Sequence, residues 1–160
     1  MTSAQYHRTL NILHSAFIFG QLAFAGIAVL LRSTGQMNFE ANELRTILPF
    51  IAVALAIAGA AGGSALFSKR RDALRGQETL AGKLGDYRGA HIIRWAMLEG
   101  PALFSIITFL LTGVYWVLGV VALLIALFIS FRPSPKRTVQ DLQPSFEEEV
   151  RILDPEAMLA

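Results

Sequence analysis

The chain has 160 residues, of which 54% are hydrophobic and only 16% charged, against about 25% charged in an average soluble domain. A mean hydropathy of +0.50 and a formal charge of +2 exclude a well-solvated globular surface and give no ground for nucleic-acid binding. Without cysteine there are no disulfides, thiolate metal sites or cysteine nucleophiles.

Four apolar runs follow in chain order. The first covers about residues 10–31 and is broken only by Asn11, His14 and Gln21. At about 22 residues it exceeds the ~7–15 of a signal-peptide core, so it reads as a retained span. The second, 46–67, carries no charge; the third, 91–111, carries Arg94 and Glu99; the fourth, 114–131, is uncharged. At a rise of ~1.5 Å per residue, runs of about 18–22 residues match a hydrocarbon core of ~30 Å. A soluble bundle would show shorter helices with a polar stripe, which the second and fourth runs lack.

Basic residues set the orientation. Four spans place both termini and the loop between the second and third runs on one side, which then holds eleven Lys and Arg residues against two, Arg32 and Arg45, on the other. The positive-inside rule makes the richer side cytoplasmic. The expected fold is therefore all-α: an integral inner-membrane four-helix bundle in residues 1–132, with short loops and both termini cytoplasmic, and a tail at 133–160.

The connections carry their own signals. In the external loop Asn42 is placed to cap the second helix, with Pro49 in its first turn. Lys69-Arg70-Arg71 reads as a headgroup anchor. Leu80, Leu84, Tyr87 and His91 recur at helical spacing, so the third helix is expected to begin near residue 77. Thr112-Gly113 predicts a tight hairpin, and Arg132-Pro133-Ser134-Pro135-Lys136-Arg137 a helix stop. Ser145-Phe146-Glu147-Glu148 has a capping-box pattern, predicting a short helix to about Leu153 that docks through Leu142, Phe146, Val150 and Leu153 on the membrane surface or a partner.

Glu99 is the residue with most to explain. It lies eight residues past His91, hence about 12 Å into the membrane. A carboxylate there costs roughly 2.5–3.5 kcal/mol on insertion scales. Gln21 and Gly59 fall in neighbouring layers, so Gln21 is the expected polar partner of a protonated Glu99, and His14 the candidate relay toward the surface. Ala52, Ala56, Gly59 and Gly63 form a small-residue packing face on the second helix. Gly100-Pro101 predicts a kink, because Pro101 cannot donate to the Met97 carbonyl; Ser105 is placed to cover a freed carbonyl. Arg94, about 140° round the helix from Glu99, is expected to snorkel to the headgroups rather than pair with it.

The segment from Ile92 through Arg94-Trp95-Ala96-Met97-Leu98-Glu99-Gly100-Pro101 to Leu111-Thr112-Gly113 resembles an uncharacterised family of small four-span membrane proteins of Bacteroidetes-like bacteria; the resemblance implies topology alone. The hairpin from Ala52 to Leu111 is similar in part to the proteolipid (c-type) subunits of rotary ATPases. That likeness implies an ion-binding carboxylate at Glu99 beside a close-packing helix at Gly59-Ala60-Ala61-Gly62-Gly63. The long cytoplasmic loop, the absence of its basic-polar-proline motif and the two additional helices depart from the proteolipid pattern. No Ser/His/Asp set, metal motif or P-loop appears. The expected function is thus a non-catalytic structural or assembly subunit, without cofactor or metal, working in the lipid bilayer as a homo-oligomer or within a larger membrane complex. The alternative is a proton- or cation-binding subunit using Glu99.

Overall fold

The computed structural model describes residues 1–36 and 43–159. Among them are six helices and no strand: α1 (Ser3–Ser33), α2 (Leu44–Leu74), α3 (Leu80–Thr112), α4 (Val117–Ser130), α5 (Pro135–Leu142) and α6 (Phe146–Leu153). Helices α1, α2 and α3, with 31, 31 and 33 residues, are long and apolar enough to cross a membrane. The expected fourth span at 114–131 is shorter: α4 has 14 residues, a length of about 21 Å. Val114–Trp116 instead form a turn closed by hydrogen bonds from the N–H groups of Val117, Leu118 and Gly119.

Local chemistry explains most boundaries. Thr79 accepts from the Gly82 N–H, so α3 starts at Leu80 rather than near 77. Gly113 ends α3 in the left-handed region at φ 66°, its N–H donating to the Phe109 carbonyl. Ser134 caps α5 with Pro135 at its first position, so the predicted helix stop also starts a helix. The capping box at Ser145 and Glu148 is formed, and α6 ends at Leu153. Pro49 lies six residues into α2, past its first turn, because α2 starts at Leu44. Asn42 lies outside the described residues.

The chain divides into two compact units. The first comprises Met1–Ser15, Ser64–Arg94 and Arg132–Ala160. The N–H groups of Ser3 and Ala4, orphan donors of a helix start, donate to the carbonyls of Ala157 and Pro155 at 3.1 and 3.0 Å. Leu142 and Ile152 are fully buried, whereas Phe146, Val150 and Leu153 stay exposed. Within the chain α6 packs through Ile152 and Glu148, one turn apart, the latter bonded to Lys83 at 2.9 Å.

The second unit comprises Ala16–Gly63 and Trp95–Phe131. Its core holds Ala28, Ile106, Phe109, Val121 and Ile125. Phe17, Trp95 and Phe128 pack as a ring cluster with centroids 5.9–6.2 Å apart.

Candidate functional site

The small-residue face of α2 is buried where the sequence puts it, at Ala52, Ala56, Gly59 and Gly63. Its purpose is clearest at Gly59. A Cβ there would collide with the Met97 carbonyl oxygen and lie 2.7 Å from Cγ of Pro101. Met97 is the residue whose carbonyl loses its helical donor to Pro101. Glycine therefore brings the α2 backbone against a mid-helix carbonyl of α3 that loses its own helical donor to Pro101. Ser105 does not cover that carbonyl as expected; its hydroxyl donates to the Pro101 carbonyl at 2.8 Å. Helix α3 runs unbroken through Gly100 and Pro101.

Glu99 and Gln21 share a layer but not a direction. The Phe17–Trp95 contact and the packing of Ala28 with Ile106 and Phe109 bracket Gln21 at the level of Leu98–Ala102. Gln21 is 1% exposed and its amide nitrogen and oxygen have no hydrogen-bond partner among the described residues. Glu99 is half-buried and likewise makes no hydrogen bond or ion pair there. The expected Gln21–Glu99 hydrogen bond is not formed. The helical wheel gives the reason: Leu98 and Ala102 on the buried arc face the interior, while Glu99 stands next to the outward arc of Ile92, Ala96, Gly100 and Ile107, all exposed. A Cβ at Gly100 would meet nothing within 4 Å. So the carboxyl borders the outer surface of its own helices.

His14 is buried in the first unit and lies in electrostatic reach of His91. The His91 ring packs between Phe67 and Tyr87, with centroids 4.8 and 4.6 Å away. Among the described residues no group of three or more His, Cys, Asp or Glu side chains is arranged to hold a metal.

No protein-family model, curated protein or solved structure matches the chain. The site is therefore read from its own residues.

Sequence reasoning missed the polar cluster of the first unit. Tyr6 donates to the Leu84 carbonyl at 2.7 Å, and Tyr87 to the Asp141 carboxylate at 2.7 Å. His7 Nδ1 donates to the Ser3 carbonyl at 3.0 Å, which leaves Nε2, 3.1 Å from the Thr138 hydroxyl, to tie α1 to α5. Arg94 is half-buried, its guanidinium 4.7 Å over the Phe67 ring. The one signal that would have found this cluster is Ser134-Pro135, read as a helix start instead of a stop.

Proposed function

We propose that the protein is a small polytopic inner-membrane protein acting as a non-catalytic structural or assembly subunit, with both termini in the cytoplasm and Glu99 held protonated. In this reading α1, α2 and α3 cross the membrane, and α4 completes a four-helix bundle. The basic asymmetry of eleven residues to two supports the orientation.

One observation carries the assembly reading: Glu99 is half-exposed beside Ala96 and Gly100, with no partner among the described residues. A carboxyl near the bilayer midplane needs a hydrogen-bond partner, and an outward-facing one is best satisfied by a helix of another chain. Small residues on either side let that helix approach closely.

The test compares Glu99→Gln with Glu99→Ala in the full chain. Glutamine keeps a hydrogen-bonding group, so native-gel assembly and membrane accumulation should persist; alanine should abolish the assembly and leave the monomer folded. If both variants assemble like the wild type, the reading fails. Carbodiimide labelling and a proton leak that are both lost in Glu99→Gln would instead support the ion-binding alternative.

A further inference from the structure

The first unit contains a half-open apolar cleft of about 190 Å³. Helix α3 supplies one side through Ala81, Leu84, Gly85 and Arg88, spaced i, i+3, i+4 and i+7 along one face. Met1, Tyr6 and Leu159 supply the rest. Backbone hydrogen bonds fix that second wall: the Leu159 N–H donates to the Met1 carbonyl at 3.1 Å, and Thr2 and Met158 form an antiparallel bridge.

The lining is apolar for identifiable reasons. Tyr6, Leu84 and Leu159 are buried. The Tyr6 hydroxyl is committed to the Leu84 carbonyl at 2.7 Å, so Tyr6 adds its ring and no open polar group. Ala81 and Gly85 are small, and a Cβ at Gly85 would meet nothing within 4 Å. The space therefore lies against helix backbone, where a side chain is missing.

Size and charge together select the occupant. An apolar cavity of about 150 Å³ holds benzene, so 190 Å³ suits a body of about six to eight carbons. Pockets for drug-sized ligands start near 300 Å³. Arg88 is the one charged residue in the lining; it is exposed and makes no hydrogen bond or ion pair among the described residues. Its guanidinium offers paired N–H donors, the geometry that matches a carboxylate. It stands three residues beyond Gly85, about 4.5 Å along the helix. A short apolar chain lying beside Gly85 thus brings its acid group to Arg88.

We propose that this cleft binds a small apolar carboxylate of about six to eight carbons, with Arg88 holding the acid group and Tyr6, Leu84 and Leu159 the apolar body. The site needs no assumption about which helices cross a membrane. Because the ligand touches both α3 and Leu159, its binding also holds the tail in place.

The experiment titrates the full chain in phosphatidylcholine nanodiscs with octanoate and with octan-1-ol by calorimetry, empty nanodiscs giving the blank for partition into lipid. The wild type should bind octanoate more tightly than octan-1-ol, and octanoate should slow amide exchange over residues 154–159. Arg88→Gln should weaken octanoate about fivefold, the upper end for an exposed ion pair, and leave octan-1-ol within about twofold. Gly85→Leu fills the cleft with a better helix former and should weaken both ligands by about tenfold or more at unchanged helix content. Ala81→Leu, one turn earlier on the same face, repeats that test should Gly85→Leu misfold. Wild-type affinity in the filled variants, or unchanged tail exchange with octanoate, would overturn the site. Equal loss of both ligands in Arg88→Gln would overturn the carboxylate assignment. Displacement of octanoate by hexadecanoate at lower free concentration would overturn the size assignment in favour of a lipid chain.

Discussion

Replacing Gly59 by alanine sets two effects of known size against each other. Alanine is favoured over glycine in a helix by about 1 kcal/mol. Against that, the new methyl meets the Met97 carbonyl oxygen and, at 2.7 Å, Cγ of Pro101. Overpacking costs about 1–3 kcal/mol when side chains must give way. Here the obstacle is helix backbone and a proline ring, neither of which can rotate aside, so the upper part of that range applies and α2 must move off α3. The expected net loss is about 1–2 kcal/mol. Two other glycines calibrate the result. At Gly62 the nearest atom is the flexible Met97 Cε at 3.1 Å, and at Gly100 nothing lies within 4 Å. Alanine at Gly62 should therefore be close to neutral, and at Gly100 stabilising by up to about 1 kcal/mol. Reversible unfolding in mixed micelles, followed by far-ultraviolet circular dichroism, gives all three values. A Gly59→Ala protein at least as stable as Gly100→Ala would refute the close approach of α2 to the Met97 carbonyl.

The tail offers further tests. Ser145→Ala removes the capping-box acceptor and should destabilise α6 by about 1 kcal/mol, seen as faster amide exchange over Phe146–Leu153. Tyr87→Phe deletes the hydroxyl that bonds Asp141; a loss of about 1.5 kcal/mol should expose α5 to protease without unfolding α3. For Glu148, burial pushes the carboxyl up, but hydrogen bonds from Lys83 and the Ser145 N–H, with the Lys83 charge, outweigh it and hold it below the usual carboxylate range. Its contribution to tail docking is therefore complete above the ordinary glutamate value of about 4.3 and is lost as pH falls through the lower folded value. Amide exchange over Phe146–Leu153, referred to that of an unstructured peptide at each pH, should rise across that acid window in the wild type, and Glu148→Gln should abolish the pH dependence.

Much of this fold is legible one segment at a time. Long apolar runs with basic flanks mark four spans, and three of them form helices long and apolar enough to cross a membrane, because apolar length and charge are properties of each run alone. Leu80, Leu84, Tyr87 and His91 predict a buried helical stripe, and all four are buried. The capping box marks the start of α6 at Ser145, and the helix runs to Leu153, about where it is expected to end. Proline chemistry marks Met97 as a carbonyl in need of a neighbour, and the small residues of α2 mark the helix that comes close.

What the residues could not declare was direction and partnership across the chain. On α1 the buried positions are Ser3, Tyr6, His7, Leu10, His14, Gln21 and Ala28, and all but Tyr6 keep a heptad spacing; four of the seven are polar, so an apolar count hides the seam. Gln21 and Glu99 share a depth, which rise per residue predicts, yet face different ways, which only the rotation of α3 against α1 decides. Arg94 and Asp141, far apart in sequence, enter each other's field because α5 turns back against the ends of α2 and α3. Local sequence determines which segments are helices and at what level along its helix each residue lies, since hydrogen bonding and hydrophobic length are local. Which polar groups meet depends on how helices rotate and pack, a choice made by the summed contacts of the whole chain.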